Sequence, residues 1–202
     1  SCLLFTSVGW SKDINSDDLL LRDGLIYEKF TDVPFTGNIT GKFVGKISKG
    51  KKEGEWLKYH ENGQLKSKVN FKNDKNDGEF LTYYENGKLE SKWYFKDGER
   101  DGEFLDYYEN GQLWIKNNYK DGKEDGEYLE YYENGQLNHK YNYKDGERDG
   151  EFLVYFENGQ LEIKSNYKDG KKEGEWLLYY ENGQLEGTGI YKDGKLIKTI
   201  KP

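Results

Sequence analysis

G-E-F-L-D-Y-Y-E-N-G-Q-L-W-I-K-N-N-Y-K-D-G-K-E-D, residues 102–125, returns with small changes in the stretches before and after it, and this recurrence decides the fold. The period is 24 residues, and six full copies begin at Gly54, Gly78, Gly102, Gly126, Gly150 and Gly174. Glu55, Leu57, Tyr59, Glu61, Asn62, Gly63, Leu65 and Lys72 are identical in every copy. The third position is always a ring: Trp56, Phe80, Phe104, Tyr128, Phe152 and Trp176. Other positions drift, as in Lys58, Thr82, Asp106, Glu130, Val154 and Leu178, or Lys66, Glu90, Trp114, Asn138, Glu162 and Glu186. Invariant positions belong to the frame, and drifting ones are where specificity resides.

Asn-Gly tolerates positive φ at both residues, so each copy is expected to be a β-hairpin closed by a two-residue type I′ turn. With Asn62-Gly63 as the loop, Glu61 faces Gln64, residue 60 faces Leu65, and residue 56 faces 69. One face then carries Trp56, His60, Leu65 and Phe71, and the other Leu57, Tyr59, Lys68 and Asn70. The K-D-G-x-x-D-G stretch leaves two solutions open. Asp97-Gly98 closes a tight hairpin with Gly102 as a bulge, or the whole segment is a longer loop. The predicted fold is all-β: tandem hairpin repeats forming an elongated, twisted antiparallel meander of about twelve strands, roughly 55 Å across.

Composition agrees with a sheet only partly covered on either face. Apolar residues make up 34% of the chain and aromatic residues 16%, with 18 Tyr, 10 Phe and 5 Trp, and mean hydropathy is −1.09. Rings suit a half-buried pleated surface stabilised between neighbouring repeats. One ring stripe is expected beside the Asn-Gly turns, running from His60 and Leu65 to Tyr180 and Leu185. A second pairs rings nine residues apart, from Phe71 with Phe80 to Tyr167 with Trp176. Packing is the first reading of both stripes and a ligand groove the second.

The boundaries follow from where the period holds. Residues 54–185 are the repeat array, 13–53 divergent capping strands around Asp23-Gly24, Pro34 and Gly41, and 186–202 a C-terminal cap whose Lys195, Lys198, Lys201 and Pro202 blunt a sheet edge. Residues 1–12 read as the remnant of a secretory signal peptide, with Gly9 and Ser11 as small residues at a cleavage site. A lipid anchor on Cys2 and an ordinary first strand are the alternatives. On the signal-peptide reading the chain is exported to a periplasm or cell surface, and a cytoplasmic location is the alternative. Nothing in the sequence is long and apolar enough to span a membrane.

No enzyme is expected. The sequence offers no assembly of nucleophile, base and orienter, and identical repeats do not build one unique active site. His60 and His139 fall at unrelated repeat positions, and a single Cys provides neither a disulfide framework nor a zinc cluster. Asp121, Asp125 and Glu127 share a Gly-rich turn, but their spacing fits neither an EF-hand nor the nonapeptide calcium repeat, and each such turn also carries Lys or Arg. No catalytic, cofactor or metal residue is therefore assigned. A net charge of −7 and pI near 5.1 argue against nucleic acid as a partner. Lys68, Lys92, Lys116, Lys140 and Lys164 recur on one face, where cross-strand carboxylates can pair with them.

Y-Y-E-N-G-Q-L and the G-E-W or G-E-F step before it resemble the MORN repeat in its bacterial variant form. The chain as a whole resembles the YwqK-type antitoxin family over about residues 50–195, and V-P-F-T-G-N-I resembles the divergent strand that precedes the repeats there. The resemblance implies stacked β-hairpins and a protein partner, here a toxin to be neutralised. The alternative is a cell-surface carbohydrate binder in which Trp93, Trp114 and Tyr141 serve as stacking platforms. Trp93, Asp106, Trp114, Glu130 and Tyr141 are the candidate partner-binding surface for either reading.

Overall fold

The computed structural model describes residues 12–201; the leader expectation therefore lies outside the described residues. The repeats form a single all-β meander within an 18-stranded sheet. Between Lys51 and Lys192 it has twelve strands when 99–107 and 123–131 are each counted as one strand interrupted by a bulge. Each strand is antiparallel to its sequence neighbours, from Lys51–Tyr59 against Leu65–Lys72 to Lys171–Tyr179 against Leu185–Lys192. The chain exposes 12987 Å², against roughly 9,800 Å² for a compact monomer of its mass. A one-layer ribbon accounts for the excess.

The Asp-Gly turns take the tighter of the two forms expected of them, and the Asn-Gly turns depart from the two-residue form. Asp97-Gly98, Asp121-Gly122, Asp145-Gly146, Asp169-Gly170 and Asp193-Gly194 carry positive φ at both residues, and Glu99 pairs with Lys96 across the first. These are the type I′ hairpins. Gly102, at φ 120°, marks the bulge beyond them, which selects the first of the two solutions open from sequence. At the Asn-Gly end only Gly63 has positive φ, 84°, and its N–H donates to the His60 carbonyl at 3.0 Å while His60 N–H donates to Gln64 O at 2.8 Å. The loop is thus three residues, Glu61-Asn62-Gly63, with glycine in the left-handed bulge position.

Asn62 is needed for its side chain rather than for its φ. Its Oδ1 accepts from Gln64 N–H at 3.0 Å, an Asx turn, and its Nδ2 donates to the Glu85 carbonyl of the next copy at 2.9 Å. The three-residue loop moves the register by one, so that Leu65 sits opposite Tyr59 rather than His60. Lys66 is the extra residue that restores it, and Trp56 faces Val69 as the sequence predicts.

The expected nine-residue ring pairing holds for Tyr167 and Trp176, 6.2 Å apart, but it is not the rule. Residues 77–79 bulge against Asn70, so Phe80 lies opposite Val69 and Phe71 opposite Asn76. The regular ring contact is instead fifteen residues long within each hairpin: Trp56–Phe71, Phe80–Phe95, Phe104–Tyr119, Tyr128–Tyr143, Phe152–Tyr167 and Trp176–Tyr191, with centroids 5.5–6.4 Å apart.

Among the described residues the amino-terminal cap contains the one departure from antiparallel pairing: Lys12–Asn15 runs parallel to Gly37–Thr40. The intervening chain makes a separate hairpin, Leu19–Arg22 with Leu25–Glu28, turned at Asp23-Gly24 with φ 50° and 74°. Leu19 and Ile26 from this hairpin pack on a core of Ile14, Phe35, Ile39, Ile47 and Trp56, giving this end the second layer that the rest of the ribbon lacks. Gly45 is required there, because a Cβ would collide with the Trp56 indole, which donates its Nε1–H to the Lys46 carbonyl at 3.2 Å. The carboxyl-terminal strand pair closes with Lys195–Ile200, exposed along its whole length.

A central repeat should suffer more from loss of its asparagine than the last one. Asn110 bonds both Gln112 N–H at 2.8 Å and the Glu133 carbonyl at 3.2 Å, whereas the amide of Asn182 turns back to Gln184. Asn110→Ala is expected to cost about 0.5–1.5 kcal/mol more than Asn182→Ala, read from urea denaturation midpoints at constant slope.

Candidate functional site

Register and alternation give the two faces different chemistry. On one face Leu57, Leu81, Leu105, Leu129, Leu153 and Leu177 stand opposite Lys68, Lys92, Lys116, Lys140, Lys164 and Thr188. Each of the five lysines forms an ion pair with the glutamate two residues before its cross-strand leucine: Lys68–Glu55 at 2.5 Å, Lys92–Glu79 at 2.8 Å, Lys116–Glu103 at 3.0 Å, Lys140–Glu127 at 2.7 Å and Lys164–Glu151 at 3.3 Å. Hydrogen bonding to these glutamates raises the pKa of Lys68, Lys92, Lys116 and Lys140. Such pairs contribute little energy, ~0–1 kcal/mol each where exposed, but they neutralise this face. In five of the six hairpins this lysine is answered within the chain.

The opposite face carries the rings. The invariant aromatic row alternates with Val69, Trp93, Asn117, Tyr141, Ser165 and Gly189. Cations from the Asp-Gly end lie over it: Arg100 sits 4.0 Å from the Trp93 centroid, Arg148 4.5 Å from Tyr141 and Lys172 3.6 Å from Trp176. Where the cation is replaced by Glu124, the ring is replaced by Asn117. That amide is 1% exposed and donates to Glu124 Oε1 at 2.8 Å. Burial pushes the phenols of Tyr128 and Tyr141 above their ordinary range.

Towards the Asn-Gly turns, the ring that follows Tyr59, Tyr83 and their equivalents links successive copies. Tyr84, Tyr108 and Tyr132 donate their hydroxyls to the carbonyls of Tyr107, Tyr131 and Tyr155 at 2.6–2.8 Å. His60 Nε2 meets the Tyr83 carbonyl at 2.7 Å in the same way. Phe156 occupies this position without a hydroxyl. Sequence reading found the stripe and missed its hydrogen bonds; the signal was the preference for Tyr or His at a position where plain packing would accept Phe.

The five sequence-derived candidates fall into three settings. Trp93 lies 4.1 Å from Phe104 on one side and beneath Arg100 on the other. Tyr141 is 7% exposed and stacks on Tyr128 at 4.4 Å, so both belong to packing. Asp106 and Glu130 share the next row, flanking Ile115 on adjacent strands. Asp106 is half-buried and accepts a hydrogen bond from Ser91 Oγ. Glu130 accepts from the Tyr128 hydroxyl at 3.3 Å and lies 3.5 Å from His139 Nδ1, which makes no hydrogen bond. Trp114, 39% exposed, rests against Tyr108 at 5.5 Å. Among the described residues no group of three or more His, Cys, Asp or Glu is placed to hold a metal ion. Of the acidic turn residues weighed for calcium, Asp125 accepts from Asp145 N–H at 3.3 Å.

A frame that uses its invariant residues for turns and repeat-to-repeat bonds, and leaves changeable ones on a face, defines a repeat protein of the binding kind. Six tandem matches to the MORN repeat variant, at residues 52–73, 76–97, 100–121, 124–145, 148–169 and 172–199, cover more than half of the chain, which belongs to that family. Repeats of this family are commonly interaction modules, and proteins built from them are generally non-enzymatic. No curated protein matches the chain.

Two consequences can be measured. Phe156→Tyr places a donor where three other copies make the bond and is expected to stabilise the protein by about 0.5–1.5 kcal/mol, with Tyr132→Phe losing a similar amount in the same denaturation series. Burial raises the pKa of Asp106, against the lowering by Ser91. A raised folded-state pKa gives stability that is full below the unfolded value and lost as pH rises through the folded one. Asp106→Asn is therefore expected to melt above the parent at pH 7, with the gap closing below about pH 4.

Proposed function

We propose that the chain is a non-enzymatic protein-interaction scaffold, and that its partner is a toxin held inactive, as the resemblance to YwqK-type antitoxins implies. One observation carries the reading. The invariant side chains are consumed by turns, stitching and the neutralised face, while the drifting residues Asp106, Trp114 and Glu130 lie partly exposed on the other. A ribbon of this length can offer the ~800 Å² per partner that a standard interface buries. The glycan alternative needs several free ring faces. Trp93 and Tyr141 are engaged in packing, which favours a protein. Among the described residues no helix is long and apolar enough to cross a membrane, and export remains part of the proposal.

The test is capture from native extract on the purified chain, with mass spectrometry, run beside a polysaccharide-retention assay. A stoichiometric protein partner is expected. Its expression alone should arrest growth, and co-expression with this chain should relieve the arrest. Relief should be lost in Asp106→Lys/Glu130→Lys while circular dichroism shows the all-β fold kept. Retention on polysaccharide with no protein captured would overturn the proposal.

A further inference from the structure

The partner's chemistry can be read from an imbalance on the ring face, an argument that rests on the scaffold reading above. From Thr82 to Leu178, the two variable positions and the stitching ring that line this face near the Asn-Gly turns contain no Lys or Arg. They do contain Glu90, Asp106, Glu130 and Glu162. Beside them lies the imidazole of His139, 3.5 Å from Glu130. These carboxylates are close enough to act on their neighbours: burial first, and then Glu90 and Asp106, raise the Tyr84 pKa, while burial and then Glu162 raise that of Tyr132. The other face differs, since every one of its five recurrent lysines has a glutamate within 3.3 Å.

The same ring face shows what it accepts. At its Asp-Gly end the chain's own Arg100 and Arg148 lie over Trp93 and Tyr141 at 4.0 and 4.5 Å. At the Asn-Gly end the rings of Tyr84, Tyr108 and Tyr132 stand among carboxylates and Trp114 rests on Tyr108, and among the described residues no cation of the chain lies over these rings. We infer that this half of the face is the docking surface for a Lys- or Arg-rich segment of a partner protein, whose cations take up Asp106 and Glu130 while an aliphatic stem lies on Trp114. Asp106 and Glu130 are two strands apart, about 10 Å, which equals three residues of extended chain. Cations at every third residue of an extended segment would therefore meet successive carboxylates.

The probe is a fluorescein-labelled peptide of repeated Lys-Thr-Thr triplets, with the Glu-Thr-Thr peptide as its opposite, measured by anisotropy against the full chain at about 50 mM and 300 mM salt. Binding of the lysine peptide alone is expected, weaker at the higher salt. Asp106→Asn/Glu130→Gln should weaken it about tenfold. Asp145→Asn/Asp169→Asn removes the same charge at the type I′ turns and should leave it unchanged. Circular dichroism and melting curves check that both variants fold. No binding, or equal weakening in both variants, would overturn the inference. So would retention on neutral polysaccharide that the lysine peptide fails to displace. If the peptide is ignored while native extract still yields a stoichiometric protein, the inference falls and the scaffold function stands.

Discussion

The structure depends on hydrogen bonds that tie each repeat to the one beside it. A ribbon one layer thick cannot bury a thick core, so each hairpin must be held by the next. At the Asn-Gly end this is done by the tyrosine hydroxyls and by Asn62, Asn110, Asn134 and Asn158, each donating to a carbonyl 23 residues on. At the Asp-Gly end glycine N–H groups donate to a carbonyl 22 residues back, as in Gly98 to Asn76 and Gly146 to Glu124, both at 2.8 Å. Turn carboxylates add to this: Asp149 accepts from Asp169 N–H at 3.2 Å and Glu173 from Asp193 N–H at 2.9 Å. Stability of this kind is a sum of neighbour terms, which explains why the turn residues vary less than the residues between them.

Much of the fold was legible because periodicity and hairpin chemistry act locally. The strand count, the register of Trp56 with Val69 and the lysine–glutamate face all follow from spacing. The tight Asp-Gly hairpin was one of two open solutions, but the three-residue Asn-Gly loop was not foreseen, since Asn-Gly and Asp-Gly have similar backbone tolerance, and what separates them is the use of the asparagine amide by the following repeat. That is a contact between copies, invisible in one hairpin. The deep register survived because two departures cancel, the three-residue loop and the bulge at Lys66. The ring pairing was displaced where Phe80 slides to Val69, for which the bulge at residues 77–79 left only Gly78 as a sign. The parallel strand at Lys12–Asn15 lies before the periodic region, where no repeat constrains the reading.

For the surface, sequence variability alone could not separate residues that drift because a partner reads them from those that drift because their neighbour drifts too. Trp93 and Tyr141 are of the second sort. Each rises and falls with an arginine seven residues later, Arg100 or Arg148, while Asn117 stands seven residues before Glu124. Asp106, Glu130 and Trp114 show no such exchange, and their partial exposure leaves them open to another molecule. The lysine-bearing face is less suited to that role, because its five recurrent lysines are each paired with a glutamate.

Ser165 shows how the grid absorbs a loss. It stands where Trp93 and Tyr141 stand, between Phe152 and the strand of Trp176, and it is 2% exposed. With no ring there, Phe152 and Trp176 stack at 5.8 Å and seal the hydroxyl, which finds no hydrogen-bond partner. An unpaired buried hydroxyl costs ~1–3 kcal/mol. The ribbon tolerates it because the same copy stays tied to the next one, the Asn158 amide reaching the Glu181 carbonyl at 3.4 Å, and because Lys172 lies over the Trp176 ring. A deficit in one cell of the array is thus confined to its immediate neighbours. The surface can accordingly change residue by residue without the frame being rebuilt.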